Sequence, residues 1–300
     1  MKPCNIFQIQ RLSVNDGEGI RTTVFFKGCQ LRCRWCANPE SWRFEPQLMF
    51  LPHKCSSCGL CTAICQQQAN TRSADGSIHF NSSLCKLCSQ CISQCPMQAR
   101  QQMGKHLSIE EVINEIKKDY LFYAESGGGV TFSGGEPYLH HEYLRELMHS
   151  CHALGIDTCT ESCGYFDFAA CKDIIKEMDA LFFDIKIMDS NKHKHFTGQS
   201  NELILENIRQ AAGINKNITI RVPVIKGVND DIENMHQLCQ FLKQKTNICR
   251  IELLSYHKLG LEKMTALGIP ATVFAAPEAR QLELLKGIIS SYGIENISYK

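Results

Sequence analysis

The chain is predicted to be an α/β protein, an incomplete (β/α)6, TIM-like barrel interrupted by a small cysteine-rich insert. Three observations lead there. Strand-like and helix-like segments alternate from Ser108 onward, the pattern of a parallel sheet covered by helices. With an opening strand they make about six units, too few for a complete eight-fold barrel. Between that opening strand and the alternating run lie residues 51–103, rich in Cys, Ser and Gln and poor in long apolar runs. An open sheet fits the alternation equally; the motifs described below favour the partial barrel.

The elements follow in order. "TTVFFKG" (22–28) is β-branched and aromatic and ends at Gly28, so the cysteine loop after it leaves the C-terminal end of a strand. Residues 1–50 thus supply the first barrel strand and that loop. Residues 51–103 form the insert, and residues 104–300 the remainder of the barrel with a C-terminal helix. "SIEEVINEIKKDY" opens the last segment with a capping box, Ser108 and Glu111, ahead of Ile109, Val112, Ile113 and Ile116 at helical spacing. Strands are expected at 129–135, 157–162, 180–186, 217–225 and 249–257, with helices near 140–154, 167–178, 201–212 and 231–245.

Composition excludes several classes. Formal net charge is +1, with no basic patch interleaved with aromatics, so neither nucleic acid nor a membrane surface is an expected partner. No apolar run has the length of a membrane span, and the first residues lack the apolar core of a signal peptide. Cysteine is the outlier, with eighteen in 300 residues. In a reducing cytoplasm these stay thiols, available as ligands. Eleven of them fall between Cys29 and Cys95, and clustering at short spacing is what metal ligation needs.

Two runs carry the strongest signal. "CSSCGLCTAIC" (55–65) and "CKLCSQCISQCP" (85–96) repeat one pattern at a thirty-residue offset. Cys-x2-Cys-x2-Cys-x3-Cys, the second copy ending in proline, is the spacing of bacterial ferredoxins with two [4Fe–4S] clusters. In that arrangement Cys55, Cys58 and Cys61 share a cube with Cys95, and Cys85, Cys88 and Cys91 share one with Cys65. Paired zinc sites normally separate two Cys-x2-Cys pairs by a longer spacer. A polar segment this small buries little apolar surface, so its ligands are expected to hold it together.

A third group stops at three: Cys29, Cys33 and Cys36, spaced Cys-x3-Cys-x2-Cys. Three thiolates can hold three irons of a [4Fe–4S] cube and leave the fourth open to a small molecule, as catalytic metals are. Other motifs suit a ligand pocket. Gly134 and Gly135 of "SGGEP" let backbone approach a ligand, and Glu136 can receive an ammonium. In "ALFFDIK" alternation puts Asp184 and Lys186 opposite Leu181, Phe183 and Ile185. "NITIRVPVI" sets Arg221 opposite Ile218, Ile220, Val222 and Val224, where a structural salt bridge is the competing role. His257 ends the last of these strands. Cys4, Cys151, Cys159, Cys163, Cys171, Cys239 and Cys249 are expected to be small buried hydrophobes without ligand roles.

The cysteine loop, with Trp35 before its last cysteine, resembles that of radical S-adenosylmethionine (SAM) enzymes. "NDGEGIRTTVFFKGC", "CANPE", "GGGVTFSGGEP", "DIKIMD", "RVPVIKGVND" and "LLSYHKLG" resemble, in order, the glycyl radical enzyme activating enzymes. That resemblance implies a radical SAM barrel with three [4Fe–4S] clusters. One electron splits SAM, and the 5′-deoxyadenosyl radical takes a hydrogen atom from a glycine Cα of a partner glycyl radical enzyme. A flavodoxin or ferredoxin reductant is implied as well, and anaerobic conditions. By the same resemblance Cys29, Cys33, Cys36 and Lys186 form the reacting centre. SAM contacts Trp35, Cys36, Ala37, Gly134, Gly135, Glu136, Asp184, Ile185, Lys186, Arg221 and His257. Glu161 and Ser162 stand where a relative carries a monovalent-cation site, and Ser255 replaces a proline expected before the tyrosine. The nearest likeness is to activases of 4-hydroxyphenylacetate decarboxylase and pyruvate formate-lyase type. The alternatives are a radical SAM enzyme acting on a small molecule and a polyferredoxin-like electron carrier, which leaves the three-cysteine loop without a role.

Overall fold

The computed structural model describes residues 4–298. Its strands are β1 (Cys4–Ser13), β2 (Arg21–Phe26), β3 (Gln47–Phe50), β4 (Asn70–Arg72), β5 (Ile78–Phe80), β6 (Arg100–Met103), β7 (Lys105–Leu107), β8 (Gly129–Gly134), β9 (Asp157–Ser162), β10 (Ala180–Asp184), β11 (Ile218–Val224), β12 (Arg250–Ser255) and β13 (Glu295–Ile297). One nine-stranded sheet runs in the order β13-β12-β11-β10-β9-β8-β2-β1-β7. From β2 to β13 every neighbouring pair is parallel. β13 and β7 are not paired with each other, so the sheet stays open rather than closing.

The six expected strands and four expected helices are all present, the helices at Ile109–Ile116, His141–His152, Phe168–Glu177, Glu202–Ala212, Ile232–Lys245 and Ala279–Ser291 including the capped first helix and the C-terminal one. Ser108 Oγ accepts from the Glu111 amide at 3.2 Å, and Glu111 Oε2 accepts from the Ser108 amide at 2.7 Å. The interior is apolar: Val24, Phe26, Phe132, Leu181, Phe183, Ile220 and Val222 are fully or almost fully buried. On the other side of β8 to β12 alternation turns polar side chains inward, and their C-terminal ends face one cavity. At the opposite, N-terminal end, buried Arg21 donates to Thr131 Oγ1 at 2.7 Å and to Asp157 Oδ1 at 2.8 Å.

Three differences from expectation have local causes. β1 precedes the expected first strand and pairs antiparallel with β2, while β7 pairs antiparallel with β1. Interleaved Gln8, Gln10 and Arg11 hide β1's apolar period. His257 does not end a strand; β12 stops at Ser255 and His257 lies exposed two residues beyond. The insert is closed at its neck by β3 and β6, paired from Gln47 with Met103 to Phe50 with Arg100, so it begins within β3, ahead of residue 51. Inside it Leu48, Phe50, Ile78, Cys91 and Ala99 make a small core against which Cys55, Cys61, Cys85 and Cys95 pack.

Candidate SAM-cluster cavity and cysteine insert

The loop after β2 is locked to the glycine turn after β8. The Gly135 amide donates to Phe26 O and the Glu136 amide to Gly28 O, each at 2.8 Å. Gly134 has φ +108°, and a Cβ on Gly135 would lie 2.1 Å from the Gly28 oxygen. Only glycine allows this approach. On the far side the Arg32 amide donates to Thr197 O at 2.6 Å and the Arg34 amide to Phe196 O at 3.0 Å, and Trp35 packs edge-on to Phe274 at 5.9 Å.

These contacts bring Cys29, Cys33 and Cys36 to one wall of a cavity of about 270 Å³. Trp35, Ala37, Gly134, Gly135, Asp184, Lys186, Arg221 and His257 line the same cavity. Residues from sequence positions far apart thus meet at one end of the parallel strands, where barrels place their sites. Lys186 Nζ lies 2.6 Å from Asp184 Oδ2. Burial by itself would lower the Lys186 ammonium, but Asp184 and the Cys33 and Cys163 sulfurs more than offset it and hold it above its usual range. Burial also pushes the Cys33 thiol up, and the Cys36 thiol up to about 11. Buried thiols facing a buried cation are a donor set that a metal cluster would deprotonate.

A fourth sulfur stands beside them. Cys163 lines the cavity, and its thiol lies against that of Cys29. The contact with Cys163 favours the thiolate on Cys29 against the opposing effect of burial, whereas the same contact and burial together hold Cys163 protonated. The Cys163 thiol donates to Glu136 Oε2 at 3.0 Å. It is therefore a polar contact in the site rather than only a small hydrophobe. Its position directly after Ser162 in "CTESCG" was the available signal.

Two expected SAM contacts are placed elsewhere. Glu136 is fully buried and absent from the cavity lining; it accepts from the Tyr138 and Cys163 amides and from the Ser162 hydroxyl, so no oxygen is turned out for an ammonium. Ile185 points into the apolar core, because alternation sends it opposite to Asp184 and Lys186. Arg221 does line the cavity, yet it is also the salt bridge its strand suggested. It pairs with Glu161, lies 2.7 Å from Glu252 Oε2, and stacks 3.9 Å above the Phe182 ring. Glu161 also accepts from Ser133, while Ser162 is turned to Glu136. Arg221 thus supplies the positive charge beside Glu161. Gly260, given no role beforehand, packs where a Cβ would meet the Cys36 carbonyl oxygen at 2.0 Å.

In the insert one cavity is lined by Cys55, Cys58, Cys61 and Cys95, and another by Cys65, Cys85, Cys88 and Cys91. These are the two sets that the ferredoxin spacing pairs. Among the described residues no three His, Cys, Asp or Glu side chains close around a single ion; a cube holds each thiolate on a different iron. Cys4, Cys151, Cys159, Cys171 and Cys239 are buried as expected, whereas Cys249, ahead of β12, is exposed. Among the described residues no helix is long and apolar enough to cross a membrane.

Comparison with known proteins bears on this geometry. The sequence profile of the Radical SAM superfamily matches residues 23–239. The chain is 41% identical over 270 residues to the 4-hydroxyphenylacetate decarboxylase activating enzyme of Clostridioides difficile strain CD196, covering 88% of this chain and 85% of that one. It is 40% identical over 274 residues to the (2S)-3-sulfopropanediol dehydratase activating enzyme of Klebsiella oxytoca, covering 89% and 86%. Streptococcus suis SuiB bound to its precursor peptide SuiA superposes with a TM-score of 0.50 at 14% identity, over 64% of this chain and 42% of that one, a likeness of fold alone.

Proposed function

Since this chain belongs to the radical SAM superfamily, and within it to the glycyl radical enzyme activating enzymes, we propose that its cavity binds SAM against a [4Fe–4S] cluster on Cys29, Cys33 and Cys36. The observation that carries this is the meeting of those three thiols with Gly134, Gly135, Lys186 and Arg221 in one cavity. When bound, the cluster supplies the electron that splits SAM, giving a radical that takes hydrogen from a partner's glycine.

The chain's own residues prepare that event. The close turn at Gly134 and Gly135 offers backbone to the ligand's methionyl end. Lys186 and Arg221 hold positive charge near its carboxylate, and Asp184 gives its ammonium an acceptor. Trp35 and Ala37 close the wall beside the cysteines, and His257 lies at the outer edge. Glu136 and Ile185 act from behind, holding the turn and the strand. A monovalent cation at Glu161 and Ser162 is left out of this reading, because Arg221 already neutralises Glu161.

The insert, residues 51–103 with the β3–β6 neck, carries two further [4Fe–4S] clusters in the two cysteine sets and relays electrons from a flavodoxin or ferredoxin. The enzyme works in an anaerobic cytoplasm, with neither nucleic acid nor a membrane as partner. A decarboxylase of 4-hydroxyphenylacetate type is the first protein partner to test.

The test is anaerobic reconstitution with iron and sulfide, reduction, and addition of SAM. The wild type is expected to release 5′-deoxyadenosine and Cys33→Ala to release none; with the right partner a glycyl radical signal appears. If a wild type carrying about twelve irons per chain makes no 5′-deoxyadenosine, the chain is an electron carrier and the activase reading fails.

A further inference from the structure

The insert's internal repeat gives each position in one cysteine run a counterpart in the other, and one buried pair differs in charge. Asn70 stands five residues after Cys65 and Arg100 five after Cys95, each directly following an alanine. Both are buried, with 4% and 2% exposure. Arg100 lines the cavity of Cys55, Cys58, Cys61 and Cys95. Its Nη2 donates to Cys61 Sγ at 3.5 Å, and its guanidinium sits 4.3 Å over the Phe50 ring and 5.4 Å from that of Phe80. Nη1 is buried without a hydrogen-bond partner, and among the described residues no carboxylate pairs with this cation. Asn70 lines the other cavity, donates to Cys61 O at 3.3 Å and hydrogen-bonds Cys65 and Cys91.

A buried cation without a carboxylate calls for an anion, and four thiolates on an iron–sulfur cube are one. Each cube takes one electron from a low-potential one-electron donor and becomes more negative by one charge. A desolvated guanidinium against one of its sulfurs stabilises that added charge more than a neutral amide does. Two exposed cations weigh little between them: Lys86 lines the second cavity and Arg72 lies beside Gly59 of the first, both screened by water. The Arg100 field also reaches Cys91, but its contact is with Cys61.

We propose that Arg100 sets the cluster on Cys55, Cys58, Cys61 and Cys95 at a higher reduction potential than the one on Cys65, Cys85, Cys88 and Cys91, so that the insert's two clusters fill in a fixed order. This rests on the two-cluster reading of the insert. The experiment is a redox titration of the reconstituted full-length protein with dithionite, followed by electron paramagnetic resonance, with iron counted in every sample. Cys58→Ala and Cys88→Ala assign the two auxiliary midpoints. The wild type is expected to show them resolved, with the higher one lost in Cys58→Ala. Arg100→Gln is expected to lower that midpoint enough to change the reduced-to-oxidised ratio about tenfold at a fixed potential, about 59 mV for one electron; Arg100→Lys restores most of it. Coincident midpoints in a wild type with about twelve irons per chain, or an iron-replete Arg100→Gln without a shift, overturn the assignment alone. A wild type holding only about four irons overturns the two-cluster reading and the assignment with it.

Discussion

Glu136 accepts both the backbone N–H and the thiol of Cys163, at 2.9 and 3.0 Å, and so ties the glycine turn after β8 to the end of β9 directly behind Cys29. The carboxylate that the motif suggested could receive an ammonium is fully buried. What it holds in place is the turn on which the cavity depends.

Burial pushes the Glu136 carboxyl up to about 7 from an ordinary 4.5, against the pull of its donors. The native state then keeps a proton that the unfolded chain has already released. The contribution is full below about pH 4.5 and is lost as pH rises toward 7, at most about 3 kcal/mol. Urea titrations from pH 4.5 to 7.5 should show a falling component in the wild type that Glu136→Gln lacks. The variant is also less stable by about 1–3 kcal/mol, because its amide faces donors. Identical pH slopes for the two proteins would refute the assignment.

Arg221 is the cation between Glu161 and Glu252. Removing it in Arg221→Ala takes the shared cation from two largely buried carboxylates and should cost about 3–5 kcal/mol. Arg221→Lys keeps the charge but not the fork, and recovers only part. Denaturation midpoints of the three proteins check this; an alanine variant as stable as wild type sinks it.

Gly260 has no room for a methyl group beside the Cys36 carbonyl. Gly260→Ala should displace the cysteine loop and lose about four irons per chain while leaving the insert's iron in place. Iron analysis and the cluster's resonance signal decide; full iron content would show that the loop yields.

Cys163 is held as a thiol and is not expected to ligate. Cys163→Ala should therefore retain iron that Cys33→Ala loses, at the expense of about 1–3 kcal/mol of stability. Loss of the same iron in both variants would make Cys163 a fourth ligand.

Cys249 is exposed, as are Cys58 and Cys88. In iron-loaded protein only Cys249 should react quickly with iodoacetamide, because the proposed two-cluster insert makes ligands of the other two. Mass spectrometry finding rapid modification at Cys58 or Cys88 as well would show that the insert holds no cluster there.

Much of this was local and therefore legible in sequence. Strand and helix periods, the Ser108 capping box and the cysteine spacings depend on neighbours a few residues apart, and β2, β8, β9, β10, β11 and β12 appear where those periods put them. Cys55, Cys58, Cys61 and Cys95 line one cavity of the insert and Cys65, Cys85, Cys88 and Cys91 another. Side-chain partners across the sheet were not legible, because alternation decides a face and not the contact made there. Glu136 turns inward because the donors at Ser162 and Cys163 come from another strand. Arg221 meets carboxylates from β9 and β12, brought alongside by parallel pairing. The difference between Asn70 and Arg100 was written in the repeat, but only folding buried both against sulfur and made one charge count.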